Sequence, residues 1–382
     1  MHVLLLPKWY PGRNDPQLGD FIRKQALAAG GFMRMSVLHV EGVRDQAEAC
    51  VEELNEHDGA WELAVRYRAS RARFAPARKA ANLWRYWRSG MMGWRRVLRE
   101  RGMPDLLHAY IMIRPAVLAW QLSRRHGVPF IIAEQSSEYL DGTFSGKAAV
   151  VRSLSRFLCR RAKAIIAVSA HLGAALKAHR LCDRFTVVPN VVPGLDRALP
   201  PRGEAGHFMM VADLVDRTKN VSGVLRALAN ARERNGCLSL TVIGDGPDRT
   251  LLERIVHDLG LVGHVRFLGR LANAQVLDHM SAAFAVIINS NVETFSVVTG
   301  EALAQGKPVI ATRCGGPEAF ITEENGRLIE PRDDAALAAA MTDFVAMAEA
   351  WDPARIRDTV GDRFGTEAVG RSLTKAYFDS IA

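Results

Sequence analysis

Cysteine is scarce in this sequence, and long apolar runs are absent. The five cysteines are scattered and form no C-x-x-C pair. Neither a disulfide framework nor a zinc site is therefore expected, and a reducing cytoplasm is favoured. No apolar stretch approaches the ~18 residues that a membrane-spanning helix needs. The opening segment Val3–Leu6 stops at Pro7 and Lys8, which predicts a buried strand and argues against a secretory signal.

Length and composition indicate a folded chain of two domains. The residues are 48% hydrophobic and 24% charged, a composition that excludes disorder and fibrous repeats. A length of 382 residues is too great for one ordinary hydrophobic core. Residues 1–200 carry a net charge of +14, whereas the remaining residues carry −5. The first half is expected to face a nucleic acid, a phospholipid surface or a phosphorylated substrate, unless its arginines are merely solvated.

Short apolar strands alternate with amphipathic helical stretches along the sequence. This alternation predicts an α/β fold of parallel sheets that are covered by helices on both faces. The predicted strands are Val3–Leu6, Val37–Val40, Leu106–Ala109, Phe130–Ala133, Ala164–Val168, Phe185–Val188, Phe208–Val211, Ser239–Ile243, Val265–Leu268, Ala285–Ile288 and Pro308–Ala311.

A stretch rich in proline and glycine separates the two halves. It runs from Pro189 to Gly203 and has little to bury, so it is the predicted domain linker. We expect two doubly wound domains, residues 1–195 and 204–364, that face each other across a cleft. Because open parallel sheets bind ligands at the carboxyl ends of their strands, the cleft is the expected site.

The segment after the strand Ala285–Ile288 carries the most specific chemistry. A polar loop follows, and a helix is predicted to begin at residues 295–297. The free amides and the dipole of a helix start bind phosphate. Glu293 precedes this start, and Glu301 lies eight positions later, at most ~12 Å along a helix. Carboxylates accept from vicinal sugar hydroxyls, so the pair suits a nucleotide-sugar, although two solvated helix glutamates would show the same spacing.

Ten short motifs, each weak alone, occur in order over residues 3–345. They are Pro7–Pro11 with Gly19 and Gln25, Asp105–His108, Ala167–Ser169, Val188–Asn190, Lys219–Asn220, Ile243–Pro247, Phe267–Gly269, Glu293 with Glu301 and Ala302, Gly306–Pro308, and Gly315 and Gly316 with Glu318. With these motifs the chain resembles the family 4 retaining glycosyltransferases of GT-B fold. The resemblance implies an acceptor-binding Rossmann-like domain, then a nucleotide-sugar-binding one, with a final helix, residues 365–382, that crosses back to the first.

The resemblance also implies an activity and its residues. A sugar is moved, with retention and without a cofactor, from a UDP- or GDP-sugar to a glycan or lipid-linked acceptor in cell-surface polysaccharide synthesis. Glu293 resembles the glutamate that contacts the donor sugar, Glu301 the one that holds the ribose, and Lys219 the lysine that neutralises the pyrophosphate. His108 resembles a strand-end histidine that contacts acceptor or donor sugar, unless it is a satisfied structural histidine. The further residues expected on the donor side are Gly19, Arg217, Gly244, Thr294, Phe295, Ser296 and Val297.

Departures from the family pattern concern mainly the acceptor side. Asp213 stands where the family often has an arginine, and Arg217 is the nearest replacement. Tyr110 replaces the second histidine of the strand-end motif, and Gln135 replaces the histidine that commonly follows Glu134. These replacements indicate either a subgroup with its own acceptor or an inactive member.

Metal-binding motifs are absent from the sequence. It contains no D-x-D, no H-E-x-x-H and no close cluster of histidine and cysteine, so no metal–diphosphate clamp is expected. Departure of the pyrophosphate is then assisted by Lys219, Arg217 and the helix-start amides, because positive charge there stabilises the transition state. The resemblance implies front-face attack, with the leaving phosphate helping to deprotonate the acceptor hydroxyl.

Residues 71–101 combine positive charge with a tryptophan stripe. They hold ten Arg or Lys and one acid, and tryptophans at 84, 87 and 94 recur at helical spacing with Met91 and Leu98. Such a helix either lies on an anionic membrane, where each basic residue adds ~1 kcal/mol, or packs its stripe on the N-terminal sheet. The residues of the membrane hypothesis are Trp84, Arg85, Trp87, Arg88, Trp94 and Arg95.

Three other functions compete with sugar transfer. A nucleotide-sugar epimerase of the same fold needs an acid–base set beyond Glu293 and Glu301, which the sequence does not show. A catalytically degenerate nucleotide-sugar-binding protein would explain Tyr110 and Gln135. Nucleic-acid binding has little support, because the basic segment joins no recognisable binding module. The expected location is the cytoplasm, extended by the membrane hypothesis to the inner face of the plasma membrane. The sequence has no local signature for base, sugar, acceptor or linkage.

Overall fold

Two α/β units make up the chain. A computed structural model describes residues 1–13, 15–57 and 60–381. The first unit comprises Met1–Val191 together with the residues from Thr366 onward, and the second comprises Val192–Gly365. Each unit is built on one mainly parallel sheet, so the predicted α/β class with two doubly wound sheets is confirmed.

The first unit contains an eight-stranded sheet. Its strands are β1 (His2–Pro7), β2 (Arg34–Val43), β3 (Cys50–His57), β4 (Ala60–Arg68), β5 (Leu106–Tyr110), β6 (Phe130–Glu134), β7 (Ile165–Ala167) and β8 (Thr186–Val187). They lie in the order β3-β4-β2-β1-β5-β6-β7-β8. The neighbours are parallel except β3 and β4, which form an antiparallel pair at one edge.

Five helices connect these strands. They are α1 (Asp20–Gly30), α2 (Ala75–Arg101), α3 (Arg114–His126), α4 (Ala149–Arg161) and α5 (Ala170–Ala178). Ser169 caps α5, because its side chain accepts from the amide of Leu172 at 3.2 Å. Such a cap satisfies one of the amides that a helix start leaves without an intrahelical acceptor.

The second unit contains a six-stranded parallel sheet. Its strands are β9 (His207–Val211), β10 (Ser239–Ile243), β11 (Val265–Phe267), β12 (Ala285–Ile288), β13 (Val309–Thr312) and β14 (Gly326–Ile329), in the order β11-β10-β9-β12-β13-β14. Its helices are α6 (Asp216–Lys219), α7 (Val221–Arg234), α8 (Arg249–Asp258), α9 (Asn273–Ala282), α10 (Val297–Ala304), α11 (Asp334–Ala346) and α12 (Pro353–Phe364).

The last helix, α13 (Thr366–Ile381), belongs to the first unit. Its residues Val369, Leu373 and Tyr377 are fully buried in the core that also contains Ile22 and Ala26 of α1. Apolar burial of this size stabilises by about 1.5–3 kcal/mol per large side chain. The C-terminal helix is thus an integral part of the first unit.

The predicted linker is attached to the second unit. The amide of Val192 donates to the carbonyl of Phe364 at 2.9 Å, and the carbonyl of Gly194 accepts from Gln305 at 3.2 Å. Lys307 is buried, and its ammonium donates to the carbonyl of Pro201 at 2.9 Å. The proline- and glycine-rich composition did not reveal these contacts, because they join distant residues.

All eleven predicted strands occur in the structure, and the residues that it describes contain three further strands that the prediction missed. Charged residues interrupt the strands β3 and β4, so these strands lack the apolar run on which the prediction depended. The strand β14 is short and contains Gly326 and Arg327. Among the described residues, no helix is both long and apolar enough to cross a membrane.

Candidate functional site

The loop between β12 and α10 lies at the edge of the second sheet where the parallel strands have their carboxyl ends. The helix α10 begins at Val297, which confirms the predicted helix start. Ser296 precedes it with a φ of 66°, a left-handed conformation that costs about 1–3 kcal/mol in a non-glycine residue. The Ser296 hydroxyl lies 2.7 Å from that of Thr299. Such strain persists only where its surroundings hold it, and it marks this turn as a candidate site.

Lys219 and Glu293 form an ion pair beside this turn. The Lys219 ammonium donates to Glu293 Oε1 at 2.5 Å, and the Ser290 hydroxyl donates to the same oxygen at 2.8 Å. The amide of Glu293 donates to the carbonyl of Cys314 at 2.9 Å. These contacts fix the carboxylate on the loop, with 24% of the lysine side chain and 16% of the glutamate side chain exposed.

The electrostatics of this pair keep the lysine charged. Burial alone would lower the pKa of Lys219, but the charge of Glu293 and its hydrogen bond outweigh burial and raise the pKa above its usual value. A raised pKa leaves Lys219 fully cationic at neutral pH. The site therefore holds a permanent cation at the end of α6.

Glu301 lies in the second turn of α10 and is buried, with 4% of its surface exposed. Asn273, the first residue of α9, donates its side-chain amide to Glu301 Oε1 at 2.7 Å. A buried carboxylate needs partners of this kind. Neither Glu293 nor Glu301 is therefore a solvated helix glutamate, and the simple alternative from the sequence is excluded.

The other residues predicted near the pyrophosphate are placed unequally. Arg217 is exposed on α6, and its carbonyl accepts from Asn291 at 2.8 Å. Asp213, at the position of the family arginine, is exposed and lies 3.8 Å from the Arg270 guanidinium. The half-buried Lys219 is thus a more firmly placed cation than Arg217.

Among the residues at the helix start, Phe295 holds the loop in place by its packing. It is buried and packs edge-on against Phe320 and Phe364, with ring centroids 4.9 and 5.8 Å apart. Its side chain therefore fixes the loop, whereas Thr294 and Val297 are partly exposed. Any contact of Phe295 with a donor would come from its backbone.

Gly244 and Gly19 are required by the backbone around them. At Gly244 a Cβ would lie 1.9 Å from the carbonyl oxygen of Ala212, where the end of β10 passes β9. At Gly19, in the first unit, a Cβ would lie 2.5 Å from the carbonyl of Trp9. Both have positive φ values, 132° and 72°. A side chain at either position would displace the loop that follows β9 or β1.

His108 is placed away from any open surface. The ring is fully buried on β5, and Nδ1 lies 2.8 Å from the Tyr377 hydroxyl of α13. Burial lowers the pKa of His108 to about 3, so the ring is neutral. This placement does not suit contact with a sugar, and it matches the structural alternative stated for the sequence.

Tyr110 and Gln135 belong to a buried hydrogen-bond network. The Tyr110 hydroxyl donates to Gln25 Oε1 at 2.9 Å, and Gln25 donates to the carbonyl of Pro189 at 2.7 Å. Asn190 donates to Gln135 Oε1 at 3.0 Å. The network joins α1 and the ends of β5 and β6 to the segment after β8. Tyr110 and Gln135 thus replace histidines with side chains that serve the interior of the first unit.

Glu134 holds the chain at the end of β6. It is buried and accepts from the amides of Met112, Gln135 and Ser136 at 3.0–3.1 Å, and from the Tyr139 hydroxyl at 3.0 Å. Burial raises the pKa of Glu134 in spite of these donors. The carboxylate is therefore a structural group of the loop. The three residues predicted on the acceptor side, Tyr110, Glu134 and Gln135, are all buried, and so is His108.

Sequence patterns did not indicate two residues that contact the predicted glutamates. Ser290 supports Glu293 from three positions before it, and the polar loop was its only signal. Asn273 pairs with Glu301 across 28 residues of sequence, and no local pattern indicates it.

Comparison with solved structures defines the fold class. Sucrose-phosphate synthase from Thermosynechococcus elongatus superposes with a TM-score of 0.76 over 99% of both chains, at 18% identity. HepE from Anabaena, solved in complex with UDP, superposes with a TM-score of 0.70 over 99% of this chain and 100% of that one, at 17% identity. The fold is the GT-B fold of glycosyltransferases.

Sequence comparison then gives the family. The family model "Glycosyltransferase Family 4" matches residues 47–193, and "Glycosyl transferases group 1" matches residues 196–355. The lipopolysaccharide core biosynthesis glycosyltransferase LpsD from Rhizobium meliloti is 35% identical over 167 residues, 43% of this chain and 46% of that protein. The chain spans about half the length of the curated relatives it matches. It belongs to the family 4 glycosyltransferases, as the ten motifs indicated.

Proposed function

We propose that this chain is a retaining glycosyltransferase that moves a sugar from a nucleoside-diphosphate sugar to a glycan or lipid-linked acceptor in the synthesis of a cell-surface polysaccharide. The observation that carries this proposal is the Lys219–Glu293 ion pair at the start of α10. The name of LpsD supports the cell-surface role, and the complex of HepE with UDP supports a uridine donor, with GDP as the alternative.

On this proposal the loop before α10 binds the donor diphosphate. Helix starts leave their first amides without an intrahelical acceptor and oriented along the helix dipole, so these amides suit a phosphate. In α10 these are the amides of Val297 and Val298, because the amide of Thr299 already donates to the carbonyl of Ser296 at 3.1 Å.

Lys219 adds a full positive charge, and Glu293 accepts from hydroxyls of the donor sugar. Glu301, oriented by Asn273, accepts from the ribose hydroxyls.

The proposed transfer needs no group from outside the donor and acceptor. The bond between the anomeric carbon and the diphosphate oxygen breaks, and its electron pair stays on the diphosphate. The acceptor hydroxyl oxygen bonds to the same face of the carbon, and its proton passes to the leaving phosphate. Lys219 stabilises the charge that builds on the diphosphate, an effect realised mainly in the transition state. This role for a fixed ammonium is why we propose transfer without a metal.

Donor hydrolysis tests this function without knowledge of the acceptor. We expect slow release of nucleoside diphosphate from one member of a panel of UDP-, GDP- and ADP-sugars, unchanged by chelation with EDTA. NMR of the released sugar at early times should show the anomer of the donor. Binding of UDP or GDP without hydrolysis of any donor would favour the degenerate binding protein. Conversion of one nucleotide-sugar to another would favour the epimerase.

We also propose that the N-terminal part of α2 contacts an anionic membrane. The predicted stripe is divided: Trp94 is fully buried and donates to His126 at 3.1 Å, so it was wrongly assigned to the membrane face. Trp84 and Trp87 remain exposed, at 57% and 43%, and Phe74, the residue that precedes α2, is 70% exposed. Arg88 and Arg78 are exposed on the same part of α2. Exposed aromatic residues among cations suit the interface of an anionic leaflet.

The double substitution Trp84→Ala, Trp87→Ala tests this surface. We expect about tenfold weaker co-sedimentation with vesicles that contain one third phosphatidylglycerol, corresponding to about 1.4 kcal/mol. Phe378→Ala, which removes an equally exposed aromatic ring from α13, is the control and should bind as the unaltered chain does. Equal loss in both variants, or no binding of the unaltered chain, would contradict the proposal.

A further inference from the structure

The first sheet has an unusual edge. The parallel neighbours β2 and β4 are joined through β3, a strand antiparallel to β4, where a doubly wound sheet commonly has a helical crossover. One face of this edge is covered by α2, since Gly93 packs closely on Leu38 and Val65. Side chains alternate along a strand, so the residues next to Leu38 and Val65 point to the opposite face.

That opposite face is polar and lines a cavity. Register places His39 of β2 opposite Ala64 of β4, and Ala64 opposite Glu53 of β3. One row further, Glu62 lies opposite Asn55. These residues, with the segment Tyr10–Arg13 and Arg23, enclose a cavity of about 330 Å³. The size lies at the lower end of small-molecule sites, about 300–1,000 Å³.

The charged groups of the cavity are paired with one another, and two of them, Glu62 and Arg66, are buried. Glu62, 7% exposed, accepts from the Tyr10 hydroxyl at 2.7 Å and from Arg23 at 2.9 Å. Arg66, 9% exposed, donates to Glu41 at 2.6 Å and also to Glu53. Burial of these two charges is costly, and an apolar face would close the sheet edge at lower cost. The polar face is therefore better explained by a ligand than by stability.

The balance of charge selects the ligand. Arg13, an exposed side chain 3.2 Å from Glu53, is the third guanidinium group of the lining. The carboxylates paired with the three guanidinium groups are Glu53 and Glu62 of the lining and Glu41, which bonds to Arg66 but does not line the cavity.

Burial lowers the pKa of His39 to about 4 and raises that of Tyr10, so both rings are neutral. The three guanidinium groups and the three carboxylates paired with them thus carry no net charge that would attract an anion, but they offer many donors and acceptors. Each guanidinium carries five N–H donors and each carboxylate about four acceptor positions. The described hydrogen bonds occupy only some of these positions, so the others are available to a ligand.

We infer that this cavity binds a neutral sugar unit of the acceptor. The inference rests on the proposed function, because a glycosyltransferase needs a site for the glycan that it extends. Paired guanidinium and carboxylate groups present adjacent donors and acceptors, which match the vicinal hydroxyls of a pyranose. The Tyr10 and His39 rings, with centroids 5.9 Å apart, add apolar faces for the C–H groups of the sugar.

Filling the floor of the cavity tests the inference. Ala64 is partly exposed there between His39 and Glu53, and Ala64→Phe should occupy the space, whereas Ala64→Ser is the matched control. The probes are the methyl α-glycosides of glucose, galactose and mannose, measured by saturation-transfer NMR. We expect one of these glycosides to bind the unaltered chain and Ala64→Ser equally well, and to bind Ala64→Phe at least fivefold more weakly. The same glycoside should bind the unaltered chain more tightly than glucose 6-phosphate does. No binding to the unaltered chain, equal binding to Ala64→Phe, or preference for the phosphate would overturn it.

Nucleotide binding separates this inference from the proposed function. UDP and GDP should bind Ala64→Phe as they bind the unaltered chain, which also shows that the variant is folded. If Ala64→Phe is not folded, Asn55→Trp on the edge strand β3 obstructs the same cavity and serves as the test variant instead. Glycoside binding without any nucleotide binding would contradict the function and leave the cavity assignment standing. Nucleotide binding and donor hydrolysis without glycoside binding that depends on the cavity would support the proposed function and contradict the cavity assignment.

Discussion

Replacement of Lys219 by methionine is expected to lower kcat about 10²–10³-fold, the effect seen when one preorganised donor to a developing anion is removed. The cation of Lys219 is held beside the start of α10 by Glu293, so no reorganisation is needed when charge builds on the diphosphate. Methionine keeps the length and apolar stem of the side chain and removes only the charge and its donors. Steady-state donor hydrolysis measures the change.

A second variant distinguishes catalysis from the loss of an ion pair. Lys219→Met leaves the Glu293 carboxylate without its cation, which alone would disturb the loop. In the double variant Lys219→Met, Glu293→Gln no charge is left uncompensated, while Ser290 still has an oxygen to which it donates. Activity should be no higher than in the single variant, because Glu293→Gln also weakens the proposed contact with the donor sugar. Recovery in the double variant would mean that the pair is structural.

Replacement of Glu301 by alanine is expected to raise the KM for the donor about 10–100-fold, with a smaller change in kcat. An interaction with the ribose is equally strong in ground and transition states, and its loss appears mainly in KM. The substitution also leaves the Asn273 amide without the acceptor that it has in the structure. Initial rates over a range of donor concentrations measure the effect.

The ribose assignment has an independent check. A donor that lacks the ribose 2′-hydroxyl should bind the unaltered chain more weakly and should bind Glu301→Ala with little further loss. Asn273→Ala, which keeps the carboxylate but removes the amide that orients it, is the comparison and should retain part of the discrimination. If Glu301→Ala still discriminates fully between the two donors, Glu301 does not hold the ribose.

Much of the second unit could be predicted from local sequence. The strand Ala285–Ile288, the polar loop and the helix start are adjacent, so apolar runs and a change of period locate them. The spacing of Glu293 and Glu301 is likewise local. Their contacts with Lys219 and Asn273 join residues 74 and 28 positions apart, and the partner Asn273 carried no signal.

The first unit was harder to predict because its polar residues are internal. By resemblance, Tyr110 and Gln135 were assigned to the acceptor side and His108 to the acceptor or donor sugar. They lie in the interior instead, where His108 contacts α13 and Gln135 contacts the segment after β8. Trp94 fits a helical stripe with Trp84, yet the buried face of α2 is rotated toward Gly90 and Gly93. Periodicity shows that a helix has an apolar face, whereas tertiary packing decides which residues of that helix are buried.

A structure with UDP or GDP bound tests the central claim most directly. The account predicts diphosphate oxygens within hydrogen-bonding distance of the Lys219 ammonium and the first amides of α10, with the ribose beside Glu301. A nucleotide bound elsewhere in the second unit, with Lys219 and Glu293 still joined only to each other and Ser290, would contradict it.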